Sequence, residues 1–284
     1  MTSSSKVTTL PDLRVLPLTA LVPHEHTDPR RIAPLVERLR VEQVLRNPPI
    51  VAPLDSASSR FVVLDGANRV AALMALGVPH VVAQVVDYAD VELHVWHHAL
   101  TRCDAEALLR DLRAIEDLSM EPSDLLAARA ALARREALAF IMLDVGESAL
   151  CCMLLSGGHN LRARTDLLNR VVSLYEGCTH VQRTPSDDLN EVKRTFPDAA
   201  ALVVFPRYAP AEVIDLARSG VRLPAGITRH VLPLRALRLN YPLEVLRSTE
   251  PLARKQAHLT EWIFERVAQR RVRTYTEPTV LFDE

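Results

Sequence analysis

Val62-Val63-Leu64-Asp65-Gly66-Ala67-Asn68-Arg69-Val70-Ala71-Ala72-Leu73 constrains this chain more than any other stretch. The apolar run Phe61 to Leu64 reads as a buried strand. It delivers a carboxylate, then a glycine turn, then a segment in which Val70, Leu73, Met74 and Leu76 recur at helical spacing before Gly77 stops it. A strand that ends on a helix N-terminus aims backbone N–H groups and the positive end of a dipole at one spot, which suits a phosphate. Asp65 stands beside that spot, where a magnesium ion or a transferred proton is handled, and Arg69 lies one turn on. The same junction also occurs as plain structure, so both readings stand at this point.

The preceding segment adds to it. His24-Glu25-His26-Thr27-Asp28-Pro29 leads into an amphipathic stretch from Arg30 to Leu45, with Ile32, Leu35, Val36, Leu39 and Val44 near one face. Thr27 or Asp28 caps this helix and Pro29 fits its first position, whereas Pro34 predicts regular helix only from Ala33. Asn47-Pro48-Pro49 breaks the chain before a strand at Ile50 to Leu54. A serine-rich turn at 55–59 follows, and Val81 to Val86 supplies a further strand. Glu25 between two histidines also reads as a solvated loop.

Taken with its order and spacing, the pattern Leu21-x-Pro23-His24-Glu25, Pro49-Ile50-Val51, then Val63-Leu64-Asp65-Gly66 with Arg69 and Leu76-Gly77, resembles the ParB/sulfiredoxin-like nucleotide-binding fold. Within it the chain is most similar to the free L-serine kinases, including the kinase of staphyloferrin B siderophore biosynthesis. Trp96-His97-His98, Tyr175-Glu176-Gly177-Cys178, Leu223 to Arg229 and Arg273 to Glu277 resemble that kinase at corresponding distances. Other branches fit less well. The glycine loop has no cysteine, so sulfiredoxin chemistry lacks its nucleophile. A DNA-partitioning protein or nucleotide-responsive DNA-binding regulator needs a basic recognition surface, whereas this chain has formal net charge -1.

The resemblance implies an α+β protein with a nucleotide-binding domain at 10–100 and a tightly joined α/β domain at 101–284 that completes the serine site. It implies phosphoryl transfer from ATP or ADP, with Mg²⁺, to the hydroxyl of L-serine. Glu25 takes the position of the carboxylate that activates the hydroxyl, and Asp65 that of the loop aspartate acting on the hydroxyl or the metal. Gly66, Ala67, Asn68 and Arg69 would wrap the phosphates, while Trp96, His97, Thr228 and Arg229 resemble the amino-acid pocket. One residue departs from the family: Asn68 stands where these kinases usually carry histidine, so a catalytically weak ligand sensor stands as an alternative beside the DNA-binding regulator. The product O-phospho-L-serine implies a downstream biosynthetic enzyme of the siderophore or diaminopropionate kind.

Composition limits the remaining choices. At 284 residues and 48% hydrophobic content, the chain is large enough for a substantial core, and its balanced charge suggests neither disorder nor polyanion binding. No run approaches a membrane span, and residues 1–9 lack an apolar stretch, which argues against a signal peptide and for a cytoplasmic setting. Cys151 and Cys152 are expected on opposite faces of a strand, and all four cysteines are expected reduced. His24, His26, His94, His97 and His98 show no zinc-site spacing. Thr228-Arg229 alone also reads as an ordinary turn, and Arg270 to Arg273 as a helix end. Helices are expected at 104–117, 123–136 (Ser123 as cap), 161–176, 210–218 and 250–271. Strands are expected at 139–143 and 149–155 around a hairpin, at 201–205, and finally at 272–276 and 279–282.

Overall fold

The computed structural model describes residues 10–55, 59–145, 149–158, 160–177 and 179–275. It is a mixed α+β structure organised on two sheets. The first has five strands in the order Leu13–Pro17, His80–Val85, Ile50–Pro53, Phe61–Asp65 and Leu21–Pro23. Phe61–Asp65 is antiparallel to Ile50–Pro53 and parallel to Leu21–Pro23. That pairing is what brings the end of Leu21–Pro23, and hence Glu25, alongside Asp65. Val62 and Val63 are fully buried, as the unbroken apolar run requires of a central strand.

The helix Ala67–Ala75 begins where the sequence predicts, on a Gly66 whose φ of 91° only glycine adopts freely. Asp28 caps the helix Pro29–Glu42 through its side chain, which accepts from the Arg30 N–H. The helix is regular from Pro29 and not only from Ala33 as expected, and Pro34 lies within it. The cost of its missing N–H is the loss of one bond near the N-terminus, and Ile32, Leu35 and Val36 still pack on the core beneath.

The second sheet is antiparallel throughout, in the order His180–Thr184, His97–Thr101, Ala199–Val204, Ala137–Asp144, Ala149–Ser156 and Leu118–Ser123. Cys151 and Cys152 do face opposite ways, each buried in a different apolar cluster, and the described cysteines are free thiols. The helix Leu161–Glu176, capped by Asn160, and the helix Pro210–Arg218 have the expected bounds. Three expectations fail. Asp124, not Ser123, caps the helix Leu125–Ala133, because Ser123 ends the strand Leu118–Ser123. The last helix is Leu252–Ala268, and Val272 to Tyr275 carries no strand. The final strand expected at 279–282 lies outside the described residues.

Apolar packing ties the parts together. One cluster runs from Ile50, Val62 and Leu64 of the first sheet through Leu100, Ile141 and Val203 of the second. A second cluster joins Val15, Val63 and Val82 to Tyr241, Leu246 and Leu259, so the C-terminal helices return to the first sheet. The edge strand Leu13–Pro17 is covered by that last helix, where Gln256 Oε1 accepts from the Val15 N–H at 2.8 Å. Among the described residues no helix is long and apolar enough to cross a membrane.

Lys255 is wholly buried in this returning helix. Its ammonium donates to Leu246 O at 2.8 Å and Ser248 O at 2.7 Å, closing the end of the helix Leu243–Arg247. Removing it takes a donor from the buried Leu246 O and the half-buried Ser248 O, and a buried polar group left unpaired costs about 1–3 kcal/mol. Lys255→Met is therefore expected to lower the unfolding free energy by about 2–4 kcal/mol in a urea titration, with the m-value unchanged.

Candidate active site

A cavity of about 520 Å³ opens where the two sheets and the C-terminal segment meet. Glu25, Asp65, Gly66, Ala67, Asn68, Arg69, Trp96, Thr228 and Arg229 all line it. His97 does not. The strand Glu92–Val95 ends at Trp96, whose N–H donates to Ile227 O, and the chain then passes into the second sheet. His97 is buried there, its Nδ1 accepting from the Phe205 N–H at 3.2 Å, and burial pushes its pKa down to about 4. The change of sheet breaks the simple alternation that places Trp96 and its neighbours on one strand.

Glu25 is pinned. A parallel bridge pairs it with Leu223: the His26 N–H donates to Leu223 O and the Leu223 N–H to His24 O, both at 2.8 Å. Its carboxylate then takes three donors. Gly226 N–H reaches Oε2 at 2.7 Å, and Oε1 receives Thr228 N–H at 2.7 Å and the Thr228 hydroxyl at 2.6 Å. Gly226 sits at φ 70°, and any side chain on it would collide with the guanidinium of Arg183, which lies against the loop. Burial draws the pKa of Arg183 down, while Glu25, Asp28 and Asp65 favour its charged form.

Asp65 faces Glu25 from the neighbouring strand. Arg235 donates to its Oδ2 at 2.7 Å and Arg69 approaches the same oxygen at 3.5 Å. Burial pushes this carboxyl up, but the two guanidinium groups outweigh it and hold the carboxyl below the usual aspartate range. Arg69 is itself placed by Asn47 O and Pro48 O, at 3.2 and 3.1 Å.

The helix Ala67–Ala75 starts on the cavity wall, and Asn68 ties it to a second helix: its Oδ1 accepts the backbone N–H of Asp28, the cap of Pro29–Glu42, at 3.0 Å. Arg31 from the first turn of that other helix also lines the wall. Across the cavity Arg229 lies over the Trp96 ring, 4.4 Å from its centroid, a cation–π contact that fixes both. The register of Thr228–Val231 on Glu92–Val95 makes the pair, since Thr228 stands opposite Val95 and Arg229 opposite His94.

Sequence reasoning missed Arg183, Arg235 and His230 as lining residues. Arg183 lies on His180–Thr184, an edge strand whose polar alternation carries little signal. Arg235 lies in irregular chain between the strands Thr228–Val231 and Tyr241–Pro242, where no periodicity exists to read. Among the described residues no three His, Cys, Asp or Glu side chains converge as a metal site.

No protein-family model matches the chain. Sequence comparison finds an ATP-dependent L-serine kinase of Staphylothermus marinus, 27% identical over 231 residues, covering 80% of this chain and 88% of that protein. The ATP-dependent L-serine kinase SbnI of Staphylococcus aureus is 23% identical over 275 residues, 96% of this chain and 97% of that one. An ADP-dependent L-serine kinase, SerK of Thermococcus kodakarensis, is 24% identical over 243 residues, covering 83% and 93%. Among solved structures, a free serine kinase variant in complex with AMP superposes with a TM-score of 0.70 at 20% identity, covering 84% of this chain and 95% of that one. The resemblance to the free serine kinases thus extends over most of the chain, and the fold is shared with them.

The Gly226 loop gives a direct test of how the carboxylate is held. Gly226→Ala combines a left-handed backbone with a steric clash, and is expected to cost about 2 kcal/mol or more by urea unfolding. An unchanged midpoint would show that the loop and Arg183 yield freely.

Proposed function

We propose that this protein is a free L-serine kinase that transfers a phosphoryl group from ATP or ADP to the serine hydroxyl, giving O-phospho-L-serine. The observation that carries the reading is a pinned carboxylate, Glu25, set across one cavity from a strand–Asp–Gly–helix junction, with Arg229, Trp96 and Thr228 between. The curated relatives named as L-serine kinases, ATP-dependent in two cases and ADP-dependent in a third, support it. We further propose the division into a ParB/sulfiredoxin-like nucleotide module at 10–100 and a serine-completing part at 101–284.

In this mechanism Glu25 orients the serine hydroxyl and accepts its proton as the new P–O bond forms. Its Oε2 is the oxygen that does so, since Oε1 already takes two donors. The Arg229 guanidinium pairs with the α-carboxylate, and Trp96 shapes the wall beside it. The N–H groups at Gly66 to Arg69, the Asn68 amide, Arg31 and Arg183 hold the phosphates and neutralise charge as it moves to the leaving group. The donor set fits a magnesium ion that arrives on the nucleotide: Asp65 retains one carboxylate oxygen not engaged by Arg69 or Arg235, and phosphates and water complete such a shell. Bound there, the ion would neutralise phosphate charge. O-phospho-L-serine would pass to a biosynthetic enzyme of the siderophore or diaminopropionate kind, a context that rests on the family resemblance.

³¹P NMR of the protein with Mg²⁺, L-serine and either ATP or ADP is expected to show a phosphoserine resonance with at least one donor. Glu25→Gln is expected to remove that resonance while the protein stays folded; continued turnover would take Glu25 out of the mechanism. Arg229→Ala is expected to raise KM for serine by roughly tenfold or more with a smaller effect on kcat, the signature of lost ground-state binding. An unchanged KM would place the serine carboxylate elsewhere.

A further inference from the structure

A second cavity, of about 210 Å³, shares no lining residue with the candidate active site. It opens beside the first turns of the helices Leu161–Glu176 and Pro210–Arg218 and the residue Arg135, just past the end of Leu125–Ala133. Arg135, Arg164, Tyr208 and Glu212 form its polar wall, with Leu138 and Leu161 on the apolar one. The kinase reading uses none of them.

Arg135 is held there at a backbone cost. Its N–H donates to Leu132 O and the Glu136 N–H donates to Ala131 O, the pair of bonds that closes a helix through a left-handed residue. Glycine is the usual choice at that position, yet Arg135 occupies it at φ 63°. Its guanidinium is fixed twice. One N–H donates to Glu212 Oε2 at 2.6 Å, and the group lies over the Tyr208 ring, 5.2 Å from the centroid. The same Glu212 oxygen accepts the Ala209 N–H at 2.7 Å, closing the start of Pro210–Arg218. Glu212 Oε1 takes no hydrogen bond from the described residues.

Arg164 differs from Arg135. Its Nη2 donates to Ala137 O at 2.7 Å, and no carboxylate of the described residues pairs with it. Arg135 and Glu212 neutralise each other, so the cavity keeps one uncompensated positive charge. Burial draws the pKa of Arg164 down, but a guanidinium stays charged near neutral pH. Tyr208 is buried, and its hydroxyl has no hydrogen-bond partner among the described residues. Burial raises its pKa, so it remains a phenol that donates. An unpaired hydroxyl and an uncompensated charge on one wall suit a ligand that accepts from the first and neutralises the second.

We propose that this cavity binds a small carboxylate with a hydrogen-bond donor on the adjacent carbon, a 2-hydroxy or 2-amino acid. The carboxylate accepts from Arg164 and the Tyr208 hydroxyl. The hydroxyl or ammonium beside it donates to Glu212 Oε1, and a short carbon chain lies against Leu138 and Leu161. Size sets the limit. At about 30 Å³ per water the cavity holds roughly seven waters, which matches an acid of about three to five carbons. The site goes beyond the kinase reading, and its test needs no turnover.

Ligand-observed NMR titration of the whole protein with L-lactate, L-alanine and propionate reads the site directly. Saturable binding of L-lactate or L-alanine is expected, at least about fivefold tighter than propionate, which lacks the donor. The tighter of the two tells which donor Glu212 receives. Arg229→Ala is expected to leave that affinity within about twofold, because the candidate serine pocket is a different cavity. Arg164→Met is expected to weaken it about tenfold or more, and Tyr208→Phe about fivefold. Tyr208→Phe removes only a hydroxyl that no described residue engages, so its urea midpoint should hold, and it decides the matter if Arg164→Met fails to fold. Three results would overturn the proposal: no saturable binding, propionate or inorganic phosphate bound as tightly, or an affinity unmoved in Tyr208→Phe. Loss of binding in Arg229→Ala would overturn it too, by returning the ligand to the candidate active site. If the wild type phosphorylates no serine with either nucleotide, the kinase reading falls alone, and these titrations still decide the second cavity.

Discussion

Everything at this site depends on one carboxylate taking three donors from a loop 201 to 203 residues further along the chain. Hydrogen bonds to a charged group contribute about 1.5–3 kcal/mol each, so the clamp between Glu25 and residues 226–228 is worth several kcal/mol. It does what no apolar contact does, because it fixes both the position and the lone-pair directions of the acceptor. With Oε1 saturated by two donors, the direction in which Glu25 can still accept is set by the fold. The same segment carries Thr228 and Arg229, so the clamp holds Glu25 and these two residues together.

Charge is distributed around that clamp in a way the whole-chain balance conceals. The formal net charge is -1, yet the cavity wall carries Arg31, Arg69, Arg183, Arg229 and Arg235 against Glu25 and Asp65. The N-terminus of the helix Ala67–Ala75 adds partial positive charge at the same place. A focused positive cleft in a nearly neutral protein suits a small polyanion. Asp65 marks the division within the cleft: Arg69 and Arg235 approach one of its oxygens and hold its carboxyl below the usual range, whereas the donors on Glu25 are two backbone N–H groups and a hydroxyl.

The sequence makes the first sheet and the glycine loop legible because both are local. Phe61–Asp65, Gly66 and Ala67–Ala75 form a contiguous grammar of apolar run, positive-φ turn and helical spacing, and the structure follows it nearly residue for residue. Glu25 and Thr228-Arg229 are legible only through resemblance, since each alone reads as ordinary loop. The tie between them is a parallel bridge to Leu223 and three hydrogen bonds to the Glu25 carboxylate, none of which periodicity encodes. His97 shows the opposite failure. Alternation is legible there, but the strand changes sheets at Trp96, and a change of partner resets which face is inward. Arg183 and Arg235 stay hidden because an edge strand and an irregular loop carry little pattern, although both end within reach of the two carboxylates.

Asn68 can be understood from the same geometry. The family resemblance places histidine there, and asparagine supplies neither a positive charge nor a titrating proton. In this fold the asparagine serves a different purpose, because its Oδ1 takes the Asp28 N–H and locks the N-terminus of Pro29–Glu42 against that of Ala67–Ala75. With the oxygen committed, the amide nitrogen is the part left to meet a ligand, and it can only donate, which is the sense a phosphate requires. The charge a histidine would bring is available from Arg31 and Arg183 on the same wall. In the proposed mechanism the proton is handled across the cavity, by Glu25. On that proposal, a residue at position 68 that does not titrate leaves phosphate binding and proton transfer to different groups.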